Sequence, residues 1–134
     1  MLVDVSSDMR PFRADLADIV ARVRLTVGES NLALLRFDGD PLVATGPGRR
    51  HTWAAYEPPP TPRPVLVVTD LGQGVRTWLR FNAAAAAADC PVVVLTPRRL
   101  RSVPAALRRA MAVIEWDRRT TAASAARTVR RGTR

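Results

Sequence analysis

Lysine is absent from this 134-residue chain, in which all 21 basic residues are arginine. A nucleotide-hydrolysing loop needs a lysine behind its glycines, and the Gly46–Gly48 and Gly72–Gly74 stretches are too short to cradle a phosphate. Histidine occurs once, at His51, beside Arg49 and Arg50. One imidazole among arginines supports neither a catalytic triad nor a histidine-rich metal centre, so His51 reads as a solvated loop residue. The single cysteine, Cys90, rules out an internal disulfide and reads as a buried structural thiol. No apolar run approaches the roughly 18 to 20 residues that cross a bilayer. The amino terminus, MLVDVSSDMRPF, carries acids where a signal peptide needs basic residues. A cytoplasmic location and no membrane partner are therefore expected. Aromatic residues make up 5% of the chain, and Trp53, Trp78 and Trp116 read most simply as packing residues.

What is present is globular: 47% hydrophobic and 25% charged residues in a length that suits one domain. The net charge of +9 is unevenly placed. Residues 1–97 hold 10 arginines and 10 acids, whereas residues 98–134 hold 11 arginines against Glu115 and Asp117, so the body is neutral and the tail basic.

Leu2 to Val5 reads as a short strand ending in the polar turn Ser6, Ser7, Asp8. Pro11 suits a first helical turn, and Phe12, Leu16, Ile19, Val20 and Val23 recur at helical spacing up to Gly28. Asn31 to Phe37 and Leu42 to Thr45 flank the turn Asp38-Gly39-Asp40-Pro41, which predicts an antiparallel hairpin. Six of the nineteen residues 46–64 are proline, so this stretch reads as an irregular crossing. Pro64 to Thr69 is a continuous apolar run of the kind buried on both faces of a parallel sheet. Beyond it come a helix over 75–88, a strand over 90–95, a helix from Pro104 to about Arg109, a strand over 111–116 and a sparse helix over 120–131. The order predicts a single three-layer open-sheet α/β domain of Rossmann-like type. Its mostly parallel six-stranded sheet has one antiparallel strand and helices on both faces. Ligands of such sheets bind beyond the carboxyl ends of the strands, where Asp4, Ser6 and Asp8 follow strand one and Thr69 and Asp70 follow strand four.

The segment LVDVSSDM, residues 2–9, resembles the first motif of von Willebrand factor A domains, in which a strand runs into Asp-x-Ser-x-Ser, commonly followed by Met. LALLRFDGD at 32–40 is similar to that family's second strand, and VLVVTDLG at 65–72 looks like its fourth, which ends in Thr-Asp-Gly. The resemblance implies such a domain over 1–119, followed by a basic helix or tail over 120–134. It also implies a metal-ion-dependent adhesion site, with Mg²⁺ held directly or through water by the motif residues, a middle-loop Thr and an Asp after strand four. A partner carboxylate then completes the metal's shell. Asp4, Ser6 and Asp70 stand at family positions; the middle-loop Thr is Thr45 or Thr52, or is missing; Asp8 replaces the second Ser.

Three carboxylates around one divalent ion would repel an acidic partner, so the site is of reduced form. Without metal, at least one of them should turn away or have its pKa raised. The ordinary employment for Ser6, Ser7 or Asp8 is to cap the first helix, worth roughly 1 kcal/mol. The short proline-rich crossing leaves little room for the family's helices between strands three and four, implying a trimmed form. Its exposed apolar sheet surface would be covered by a protein partner or a second copy. Asp4 is also similar to the nucleophile of haloacid-dehalogenase phosphatases, but Ser6 stands where their second Asp protonates the leaving group, so no enzyme is expected. The rival function is binding of nucleic acid or another anionic partner through Arg98, Arg99, Arg101, Arg108, Arg109, Arg118 and Arg119, with Arg127, Arg130, Arg131 and Arg134 behind them.

Overall fold

The computed structural model of the chain describes residues 1–116. Six short strands form one open sheet: β1 (Leu2–Asp4), β2 (Leu35–Phe37), β3 (Thr45–Gly46), β4 (Val65–Val68), β5 (Val92–Thr96) and β6 (Ala112–Glu115). Their order is β3-β2-β1-β4-β5-β6, with β3 antiparallel to β2 and every other neighbouring pair parallel. The expected α/β class and strand directions are therefore found. Parallel neighbours require crossovers, which α1 (Arg13–Val27), α2 (Val75–Ala87) and α3 (Ala105–Ala110) supply.

Alternation along the strands decides what each helix covers. Leu2, Val65, Val67, Val92, Val94 and Val113 share one buried cluster with Trp78, Phe81 and Ala85 of α2 and Leu107 of α3. Val3 and Val68 point the other way, into a smaller cluster with Met9 and Leu16, flanked by half-buried Phe12, Ile19 and Val20. The chain thus winds from β1 one way through α1 and from β4 the other way through α2 and α3, on opposite faces. Such a reversal leaves a crevice between its two starting strands, here β1 and β4.

Several boundaries differ from the sequence reading, each for a local reason. The first helix begins at Arg13, because Ser7–Phe12, which includes Pro11, winds as a 3-10 segment. β2 starts only at Leu35, after a 3-10 turn at Glu29–Asn31. The hairpin's return strand is Thr45–Gly46 instead of 42–45: the Asp40 side chain accepts from the Leu42 amide at 2.9 Å, and its carbonyl accepts from Val43 at 3.2 Å, so Pro41–Val43 curls as a turn. The crossing, 47–64, does not leave its face bare. Ala54 bridges to Thr45, and Tyr56 packs its ring 5.0 Å from that of Phe81, inside the larger cluster. The helix expected over 120–131 lies outside the described residues.

Candidate functional site

Asp4 closes β1 and is 1% exposed. Its Oδ1 accepts from the amides of Ser6 at 2.9 Å and Gly39 at 3.2 Å, and its Oδ2 accepts from the Thr69 hydroxyl at 2.7 Å. Thr69 Oγ1 in turn accepts from the Leu71 amide at 3.1 Å. One carboxylate thereby ties together the tips of β1 and β4 and the turn after β2. The register Val3↔Val68 sets Asp4 beside Thr69 on the neighbouring strand. Gly39 makes the close approach possible: its φ is +76°, and a Cβ there would sit 2.5 Å from Gln73 Nε2.

Asp70 follows, half-buried, with Oδ1 accepting from the Gly72 amide at 3.0 Å. Burial raises its pKa above the ordinary value, aided by the negative charges of Asp4 and Asp8 and opposed by the Gly72 amide and Arg98. The strand-tip acids are therefore electrostatic neighbours, brought together by the pairing of β1 with β4. Arg98, beyond β5, reaches the same rim and donates from Nη1 to the Asp70 carbonyl at 3.5 Å.

Ser6 does not cap a helix. It stands at the N-cap of the 3-10 segment with no side-chain cap bond, and the N-cap of α1 is Phe12, also without one. The reason is local: the Ser6 amide is turned to Asp4, and its carbonyl accepts from Met9 at 3.1 Å, so the segment closes through its backbone. Asp8 is exposed. Thr45 and Thr52 spend their hydroxyls elsewhere, Thr45 donating to the Arg36 carbonyl at 2.9 Å and Thr52 to the Arg49 carbonyl at 2.7 Å.

The donor chemistry suits a hard cation in part. Ser6, Asp8 and Asp70 offer oxygens, the type Mg²⁺ prefers. Asp4 already fills three of about four acceptor positions of a carboxylate, so its first employment is holding the fold. Among the described residues, no group of three or more His, Cys, Asp or Glu side chains stands ready to hold a metal.

The arginines of the rival reading do not form one patch. Arg98, Arg99 and Arg101 precede α3, at the carboxyl end of β5, whereas Arg108 and Arg109 lie in its last turn, next to the start of β6. All five are exposed, and Arg108 Nε donates to the Val103 carbonyl at 3.1 Å. Arg118 and Arg119 lie outside the described residues. Nor does any described helix have the length and apolarity to cross a membrane.

Sequence reasoning missed the part that two residues play here: it placed Gly39 in the turn after strand two and Arg98 among the basic residues of the rival reading, and the sheet order brings both to this rim. No family model, no curated protein and no solved structure matches the chain.

Proposed function

We propose that this chain is a non-catalytic protein-interaction module of von Willebrand factor A type, cytoplasmic, that meets its partner at the crevice beyond β1 and β4. The observation that carries this reading is the meeting of Asp4, Ser6, Thr69 and Asp70 at the point where the winding reverses, with the Ser6 hydroxyl left unbonded among the described residues. The Asp4 carboxylate and the Thr69 hydroxyl are already paired with each other and with backbone amides, whereas among the described residues the Ser6 hydroxyl is spare. In this reading Ser6, Asp8 and Asp70 hold Mg²⁺, and Asp4 keeps the loops that carry them in place. A bound Mg²⁺ would offset the negative charges of Asp4 and Asp8, which add to burial in raising the Asp70 pKa.

The test is a calorimetric titration with Mg²⁺ and Mn²⁺, repeated on Ser6→Ala, which removes no hydrogen bond of the fold. Heat and thermal stabilisation in the native chain, both lost in the variant, are expected. Absence of both in the native chain removes the metal from the reading. Affinity for DNA that drops steeply between about 50 and 200 mM salt would instead favour the arginine-borne rival.

A further inference from the structure

The chain crosses from β5 to α3 on a loop that carries Arg98, Arg99 and Arg101 close together, at the carboxyl end of the sheet. Its backbone is pinned. Thr96 Oγ1 accepts from the Arg98 amide at 3.2 Å, and Glu115 Oε2 accepts from the Leu100 amide at 3.0 Å. The Arg99 carbonyl accepts from the amide of Ser102 at 2.8 Å and from its hydroxyl at 2.7 Å. Leu100–Ser102 winds as a 3-10 turn, and Val103 behind it is buried. The arginine side chains are free by contrast. All three residues are exposed, and among the described residues none of them is in an ion pair, whereas Arg50 is paired with Asp38 at 2.8 Å. Their one side-chain hydrogen bond among the described residues is the long one from Arg98 to the Asp70 carbonyl.

Resting on the reading of the chain as a protein-interaction module, we infer that this loop recognises an acidic segment of the partner protein, with carboxylates on either side of an apolar residue. Three like charges held this close repel one another, and anions set between them relieve that repulsion. Because the backbone is already fixed, little ordering is lost when such a segment binds. Leu100, between Arg99 and Arg101, is 36% exposed and offers an apolar contact that a carboxylate-apolar-carboxylate sequence meets and a phosphate ladder does not. Asp70 points the same way. Its carboxylate lies near Arg98 and repels a polyanion that runs on past the loop, but not a short segment that ends there. The partner's acids thus sit on the arginines, clear of Asp4, Asp8 and Asp70.

Fluorescence anisotropy on the full-length chain tests this, at low salt and with EDTA present so that no metal contributes. The probe is a labelled Glu-Glu-Leu-Glu-Glu peptide, with Gln-Gln-Leu-Gln-Gln and a single-stranded oligonucleotide as comparisons. The acidic peptide should bind at least about tenfold tighter than its glutamine counterpart. The double variant Arg99→Gln/Arg101→Gln, whose replaced side chains make no hydrogen bond among the described residues, should lose about tenfold in affinity for it. Arg22→Gln/Arg24→Gln, the same charge change on α1, should lose nothing. Absence of a preference for the acidic peptide overturns the inference, and so does an equal loss in both double variants, which would make net charge the cause. Tighter binding of the oligonucleotide, lost in Arg99→Gln/Arg101→Gln, overturns it in favour of a nucleic acid. Magnesium heat in the native chain without a peptide preference removes the acidic partner and leaves the metal site; a peptide preference without magnesium heat removes the metal and supports the acidic partner.

Discussion

The two faces of the sheet are built on different economies. One holds Phe37, Tyr56, Trp78 and Phe81 in mutual ring contact, beneath two helices and the proline-rich crossing. The other rests on α1, which buries only Leu16 fully and leaves Leu25 87% exposed. Aromatic side chains bury far more apolar surface than a half-exposed aliphatic stripe. The difference teaches that this small domain draws most of its stability from one face, while the strand tips between the faces are held by polar bonds.

The largest expected effect follows directly. Phe81→Ala should cost about 3–5 kcal/mol, a large share of a small domain's total, whereas Leu16→Ala, at the thin edge of its cluster, should cost about 2 kcal/mol. Urea unfolding of the two variants measures the contrast, and equal losses would break it.

Next in size is Asp4→Ala. It strands the buried amide of Gly39, the amide of Ser6 and the Thr69 hydroxyl, at about 3 kcal/mol, while Asp4→Asn, still accepting from the amides and able to donate to Thr69, should cost about 1 kcal/mol. A stability loss in Asp4→Ala no greater than in Asp4→Asn would show that the staple is idle.

The smallest effect is one of pH. Burial, with a lesser contribution from Cys90, raises the Tyr56 pKa above its ordinary value of 10.0. The folded chain then keeps the phenol proton at a pH where the unfolded chain has lost it, so stability falls as pH rises above about 10. Tyr56→Phe should remove that decline and leave neutral stability nearly unchanged. A melting temperature that falls identically in both proteins at alkaline pH would dissociate Tyr56 from it.

Legibility in the sequence was greatest where the signal was continuous. Val65–Val68 and Val92–Thr96 are apolar runs long enough to be read as doubly buried strands, and both lie in the interior of the sheet with a paired strand on each side. The α1 stripe was equally plain. Boundaries failed where side chains competed with the backbone: Asp40 captured the Leu42 amide and shortened β3, and Asp4 captured the Ser6 amide, so Ser6 caps nothing. Of the site, Asp4, Ser6 and Asp70 were visible because they follow strand signals. Asp8 and Thr69 were visible for the same reason, whereas the parts played by Gly39 and Arg98 were not, because both come from loops whose neighbours depend on strand order.

Residue order by itself determined the element types, the parallel character of the sheet and the concentration of positive charge after residue 97. These follow from local periodicity and composition, which each segment carries alone. Only the tertiary structure decided that Asp4 is spent on three hydrogen bonds, that Tyr56 closes the larger cluster, and that Leu66, Val93 and Ala112 stand in one row. Those facts depend on which strands become neighbours, a choice made by the burial of the whole sheet and written in no single segment.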